Sequence, residues 1–160
     1  MYIAVYIVNI ESKKMIDFEK IPAWWPICGN SECQHAEKCL RHIAFTQVPP
    51  TVKHWSCVLP TAMKDGECEY FQKGEKVQMA RGFKELFANI KNKYARHELR
   101  MQLTDYFGSK GSYYRYRDGE RWLNPKLQQM IADRMKQLGI EETPVFDEYY
   151  ELYDFTNVPL

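Results

Sequence analysis

A chain of 160 residues suits one compact domain or two small lobes sharing an interface. Its 45% hydrophobic and 14% aromatic content supplies the large apolar side chains that repay ordering entropy, which argues against intrinsic disorder. The formal net charge of +1 conceals an asymmetry, with 15 Lys/Arg against 7 Asp/Glu from Lys73 to Lys136 and 7 against 14 elsewhere.

The longest apolar run, Met1 to Val8, is too short to cross a bilayer and lacks the basic leader and cleavage site of a secretory signal. Ile3, Val5, Ile7 and Val8 favour a first β-strand there. The sequence therefore reads as cytoplasmic, with no membrane partner. Five cysteines follow: Cys28, Cys33, Cys39, Cys57 and Cys68. In a reducing compartment disulfides do not persist, and an odd number leaves one thiol over. Clustered thiols in that setting point to a metal. A soft cation such as Zn²⁺ takes about four thiolate or imidazole ligands at roughly 2.3 Å for sulfur. An iron–sulfur cluster also fits four thiolates. The plainer alternative is five buried cysteines acting as small hydrophobes.

Gly29 and Asn30 are turn formers, so Cys28 and Cys33 can face each other across a tight loop. A short helix is expected from Glu32 to Ala44. Cys33 and Cys39 are six apart, which is not one helical face, so that helix begins after Cys33. Cys68 follows the Asp65-Gly66 turn, which can return it to the cluster as fourth ligand. Cys57, near Trp55, reads as a strand residue turned into the core. The expected metal site is Cys28, Cys33, Cys39 and Cys68, with His35, His42 and His54 left out as surface or capping residues.

Beyond Tyr70 the pattern becomes helical. Val77, Ala80, Phe83, Phe87 and Ile90 share one helical face, with Lys76, Lys84 and Lys91 outside it. A second helix is expected from Asn92 to Tyr106, carrying Ala95, Leu99, Leu103 and Tyr106 inward and ending at Gly108. Ser109 caps a short basic-aromatic segment that Gly119 stops. Asn124 and Pro125 then open a helix with the seam Leu127, Ile131, Met135 and Leu138.

Helix, glycine turn, short basic helix and further helix is the layout of a helix-turn-helix, whose second helix enters the DNA major groove. Residues from about Arg100 to Gly139 resemble the phage-repressor (Xre/Cro-like) helix-turn-helix family, through Ser109-Lys110-Gly111-Ser112-Tyr113-Tyr114-Arg115-Tyr116-Arg117 and the Asp118-Gly119-Glu120-Arg121 stop. The resemblance implies Tyr113 and Tyr116 toward the core and Lys110, Ser112, Arg115 and Arg117 outward to DNA. Two features depart from the family. The apolar residue after the turn glycine is missing, and Gly111 weakens the helix by roughly 1 kcal/mol relative to Ala. The basic middle of the chain allows a polyanion-binding surface, and equally fits solvated helix faces.

Most of the chain is also similar to an uncharacterised cysteine-containing family of Bacteroidetes-type bacteria. The similarity lies in Cys28/Cys33/Cys39, Cys68-Glu69-Tyr70-Phe71 and Ala80-Arg81-Gly82-Phe83. It implies Cys68 rather than Cys57 as fourth ligand, and no function.

The acidic, aromatic tail places Phe146, Tyr149 and Tyr153 at helical spacing to cover the core. Shielding of the basic surface or a dimer interface are its other readings. No phosphate-binding glycine loop, nucleophile elbow or H-E-x-x-H is present, and Cys57 and His54 stand too close in sequence for a Cys-His nucleophile, so no enzyme is expected. The expected protein is α+β. A small Cys-rich, metal-stabilised N-terminal lobe, 1–72, precedes a mainly α-helical lobe, 73–160, with a helix-turn-helix-like segment about 100–139. Its leading role is a DNA-binding regulator with a structural zinc. The alternatives are a protein-interaction module, with a protein partner or second copy, and a redox or metal sensor.

Overall fold

The computed structural model describes residues 16–156, so the strand expected over Met1–Val8 lies outside the described residues. The described chain mixes helix and strand and falls into two compact units, 16–74 and 75–156.

The first unit is built from short pieces. A 3-10 turn at Ala36–Lys38 leads into helix α1 (Leu40–Phe45), and a later one at Pro60–Ala62 leads into a hairpin of β1 (Met63–Lys64) and β2 (Glu67–Cys68). The helix expected over Glu32–Ala44 is thus broken at Cys39, which is extended at φ −88°, ψ 121°. Contacts distant in sequence cause the break. Cys39 bridges Lys73 in antiparallel fashion, and the Leu40 N–H donates to the Gln72 carbonyl at 2.6 Å. The hairpin turn has Asp65 and Gly66 at φ 51° and 83°, the two positive values that match strand twist in a two-residue loop. Trp25, Leu40 and Ala44 are fully buried at the centre, together with the charged Arg41.

In the second unit β3 (Val77–Arg81) precedes helices α2 (Lys84–Asn89), α3 (Lys93–Tyr106) and α4 (Lys110–Arg117). Strand β4 (Trp122–Leu123), helix α5 (Pro125–Gln137) and strand β5 (Glu148–Leu152) complete it. Two expectations are corrected here. Val77–Arg81 is the middle strand of a three-stranded antiparallel sheet, not the start of a helix, and the tail around Tyr149 is its edge strand β5. A five-residue ladder from Val77↔Leu152 to Arg81↔Glu148 outweighs the local helical spacing on both sides. Gly82 then turns the chain at φ 69°, and a Cβ there would collide with the Asp147 carboxylate. That carboxylate caps α2, accepting from the Lys84 N–H at 3.1 Å and the Glu85 N–H at 2.9 Å.

The three longer helices start where capping chemistry puts them. Asn92 accepts from the Tyr94 and Ala95 N–H groups, Ser109 from Ser112, and Asn124 from Leu127 ahead of Pro125. Leu99, Leu103, Ile131 and Met135 pack with Phe83, Leu123 and Tyr113 in one core. Each large apolar side chain buried there contributes roughly 1.5–3 kcal/mol. Tyr106, expected on the inner seam of α3, is exposed instead.

Candidate metal centre

Separate local devices position the four cysteines of the expected site. Cys28 follows a parallel bridge between Ile27 and Cys57, in which the Ile27 N–H donates to Ser56 and the Val58 N–H to Ile27. Its own N–H donates to the Arg41 carbonyl at 3.1 Å. Cys33 opens the turn into Ala36–Lys38, and its sulfur accepts from the His35 N–H at 3.4 Å. Cys39 stands at the break before α1. Cys68 sits on β2 opposite Met63, and the hairpin tip is tied back by a 2.7 Å bond from the Gln34 side-chain amide to the Gly66 carbonyl.

Cys28, Cys33, Cys39 and Cys68 all line one small cavity of about 30 Å³. Cys57 does not line it and is exposed, which corrects its expected place in the core. The cause is the alternation of an extended chain, which sends Val58 to the cavity and Cys57 the other way. Among the described residues, no three His, Cys, Asp or Glu side chains already stand grouped around an ion position.

Arg41 lines the same cavity and is 1% exposed. Its guanidinium donates to the carbonyls of Tyr70 and Pro26, each at 2.7 Å, and lies 4.3 Å from the centroid of the Trp25 ring. Burial pulls its pKa below the usual value, while Cys39, Cys68, Tyr70 and Cys28 push it back up. Burial likewise raises the Cys28 thiol, the Asn30 backbone opposes this, and Cys39, Cys57 and Cys33 add to the rise. His42 and His35 also reach the cavity wall, whereas His54 does not. His42 Nδ1 lies 3.0 Å from the Cys28 carbonyl, which can only accept. Nδ1 therefore carries a proton.

The residues expected at DNA separate in α4. Lys110 and Arg115 are exposed, and Ser112 is half-buried behind the Ser109 cap. Arg117 is committed locally, donating to Asp118 at 2.9 and 2.8 Å with its guanidinium 4.5 Å from the Tyr114 ring centroid. Tyr113 is buried, and Tyr116 stacks on Phe107 at 4.2 Å. Among the described residues no helix is long and apolar enough to cross a membrane.

These features define an α+β protein of two units, the first with a cysteine-lined cavity and the second with a sheet and helices over one apolar core. A family model matches residues 11–155, and the chain belongs to that family, a family of unknown function (DUF6078). No curated protein and no solved structure matches it.

Proposed function

We propose that Cys28, Cys33, Cys39 and Cys68 hold a structural Zn²⁺ that staples the first unit of a cytoplasmic regulatory protein. One observation carries the reading: thiols from four separate stretches of chain line the same cavity, and the fifth is turned away from it. Binding requires the four side chains to rotate inward, losing their protons as thiolates coordinate. Four thiolates around one Zn²⁺ leave two negative charges, which the buried Arg41 guanidinium partly offsets.

Elemental analysis of freshly reduced protein tests this. About one zinc per chain is expected, because a closed thiolate site binds tightly. Less than about half an equivalent removes the proposal, and a brown protein absorbing in the visible replaces zinc with an iron–sulfur cluster. Cys57→Ser should keep the metal and Cys39→Ser should lose it.

A second reading, DNA contact through α4, draws on the similarity to Xre/Cro-like helix-turn-helix proteins and on the exposure of Lys110 and Arg115. With Arg117 held by Asp118, those two carry the contact, with Ser112 beside them. Lys110→Ala with Arg115→Ala should flatten the dependence of duplex binding on salt. A protein indifferent to duplex at low salt leaves the interaction module or the redox sensor in its place.

A further inference from the structure

The second unit gathers positive charge in a place that the α4 reading does not use. Helix α3 carries Lys93, Arg96, His97 and Arg100 at i, i+3, i+4 and i+7, a single face. That face forms one wall of an open groove of about 560 Å³. Lys84 of α2 and Arg117 of α4 join it, over a floor that includes Phe87 and Tyr113. No Asp or Glu lines the groove. The acids of α3, Glu98 and Asp105, lie about 130–150° round the helix from the basic face, at 3.6 residues per turn.

Asp118 at the rim engages Lys84 at 3.4 Å and Arg117 at 2.8 Å, and Arg100 donates to the Tyr114 hydroxyl at 2.6 Å. Among the described residues, no carboxylate pairs with Lys93, Arg96 or His97. Lys93 and Arg96 are neighbours at i, i+3, and Arg96 and Arg100 at i, i+4. Like charges at these spacings destabilise a helix. A local choice that opposes folding in this way marks a functional surface, because nothing in the core requires it.

We propose that this groove binds closely spaced phosphate groups. Arginine and lysine on one wall and a lysine and an arginine from two other helices suit several phosphates at once, with guanidinium forks to their oxygens. Tyr113 is buried and Phe87 half-buried, so the floor offers little face for stacking a base, and recognition falls on phosphate alone. The sugar–phosphate strand of a nucleic acid and a free polyphosphate share this chemistry.

The test uses the full chain and the double variant Lys93→Glu/Arg96→Glu. Both residues lie in the first turn of α3, where acidic side chains favour the helix, so the variant should fold. Lys126→Glu/Lys136→Glu on α5 makes the same change in net charge away from the groove. Binding of a labelled oligonucleotide and of inorganic tripolyphosphate is measured across a salt series. The groove variant should lose at least about tenfold in affinity, with a salt slope shallower by about 1.5–2, and the α5 variant about twofold. Binding of the oligonucleotide alone identifies nucleic acid as the source, and of tripolyphosphate alone the free polyphosphate; either supports the groove. Equal losses in both variants overturn it, as does absence of binding at low salt or equal binding of polyglutamate. A loss seen only in Lys110→Ala/Arg115→Ala supports the α4 surface and overturns the groove, so the two readings fail separately.

Discussion

The two units hold their shape by different means. In the second, α3 and α5 run for 14 and 13 residues, and with the sheet they enclose a continuous apolar core. In the first, α1 has 6 residues, each hairpin strand has 2, and the buried centre includes a guanidinium. A unit of under about 80 residues seldom gains more than about 3–5 kcal/mol from its core. Short elements around a buried charge gain less. The contrast sets a unit built around an apolar core beside one whose short elements surround a buried charge, the kind of unit in which an added cross-link has most to contribute.

Chelation should break the comparison most sharply. Structural zinc contributes on the order of 10 kcal/mol in small zinc domains. Its removal should collapse the amide dispersion of residues 16–74 and spare that of 75–156; persistence of both sets would show that the first unit needs no staple. Arg41→Met comes next, at about 3–5 kcal/mol, because it strips two part-buried carbonyls of a charged donor and Trp25 of its stacked cation. The denaturant midpoint of the first unit should fall, and an unchanged midpoint counts against a central role for Arg41. Leu103→Ala should cost the second unit about 2–5 kcal/mol through lost burial and the cavity left behind, with metal content unaltered.

The smallest effect is alkaline. Burial pushes the Tyr113 hydroxyl up to about 12 from 10.0, so the unfolded chain gives up that proton first. Stability is full below pH 10 and falls as pH rises from 10 toward 12, by up to about 2 kcal/mol. Tyr113→Phe should remove that part of the decline, measured by urea unfolding at pH 9 and 11.

The readable features were those whose chemistry is local. Ser109 and Asn124 announce helix starts by their caps, and α4 and α5 begin there; Asn92, read as the first residue of a helix, is the cap of α3. The four cysteines were singled out by density and turn residues, and they share a cavity. What escaped was pairing across distance. Val77, Ala80 and Phe83 fit a helical period, yet the partner of Val77–Arg81 lies almost seventy residues on, at Glu148–Leu152. Cys57 reads as a strand residue turned inward near Trp55, and one step of alternation reverses it. The basic face of α3 is legible as i, i+3, i+4, i+7, but Lys84 and Arg117 join it only through tertiary packing.

Asp147 links these two scales. It enters β5, donates its N–H to the Gly82 carbonyl at 3.1 Å, and caps α2 from 63 residues away at Lys84. A nascent chain that has not yet grown past Asp147 has β3 without its longest partner and α2 without its cap. Order at the Gly82 corner therefore arrives late in synthesis and all at once, with the closing of a long loop rather than with the growth of a helix.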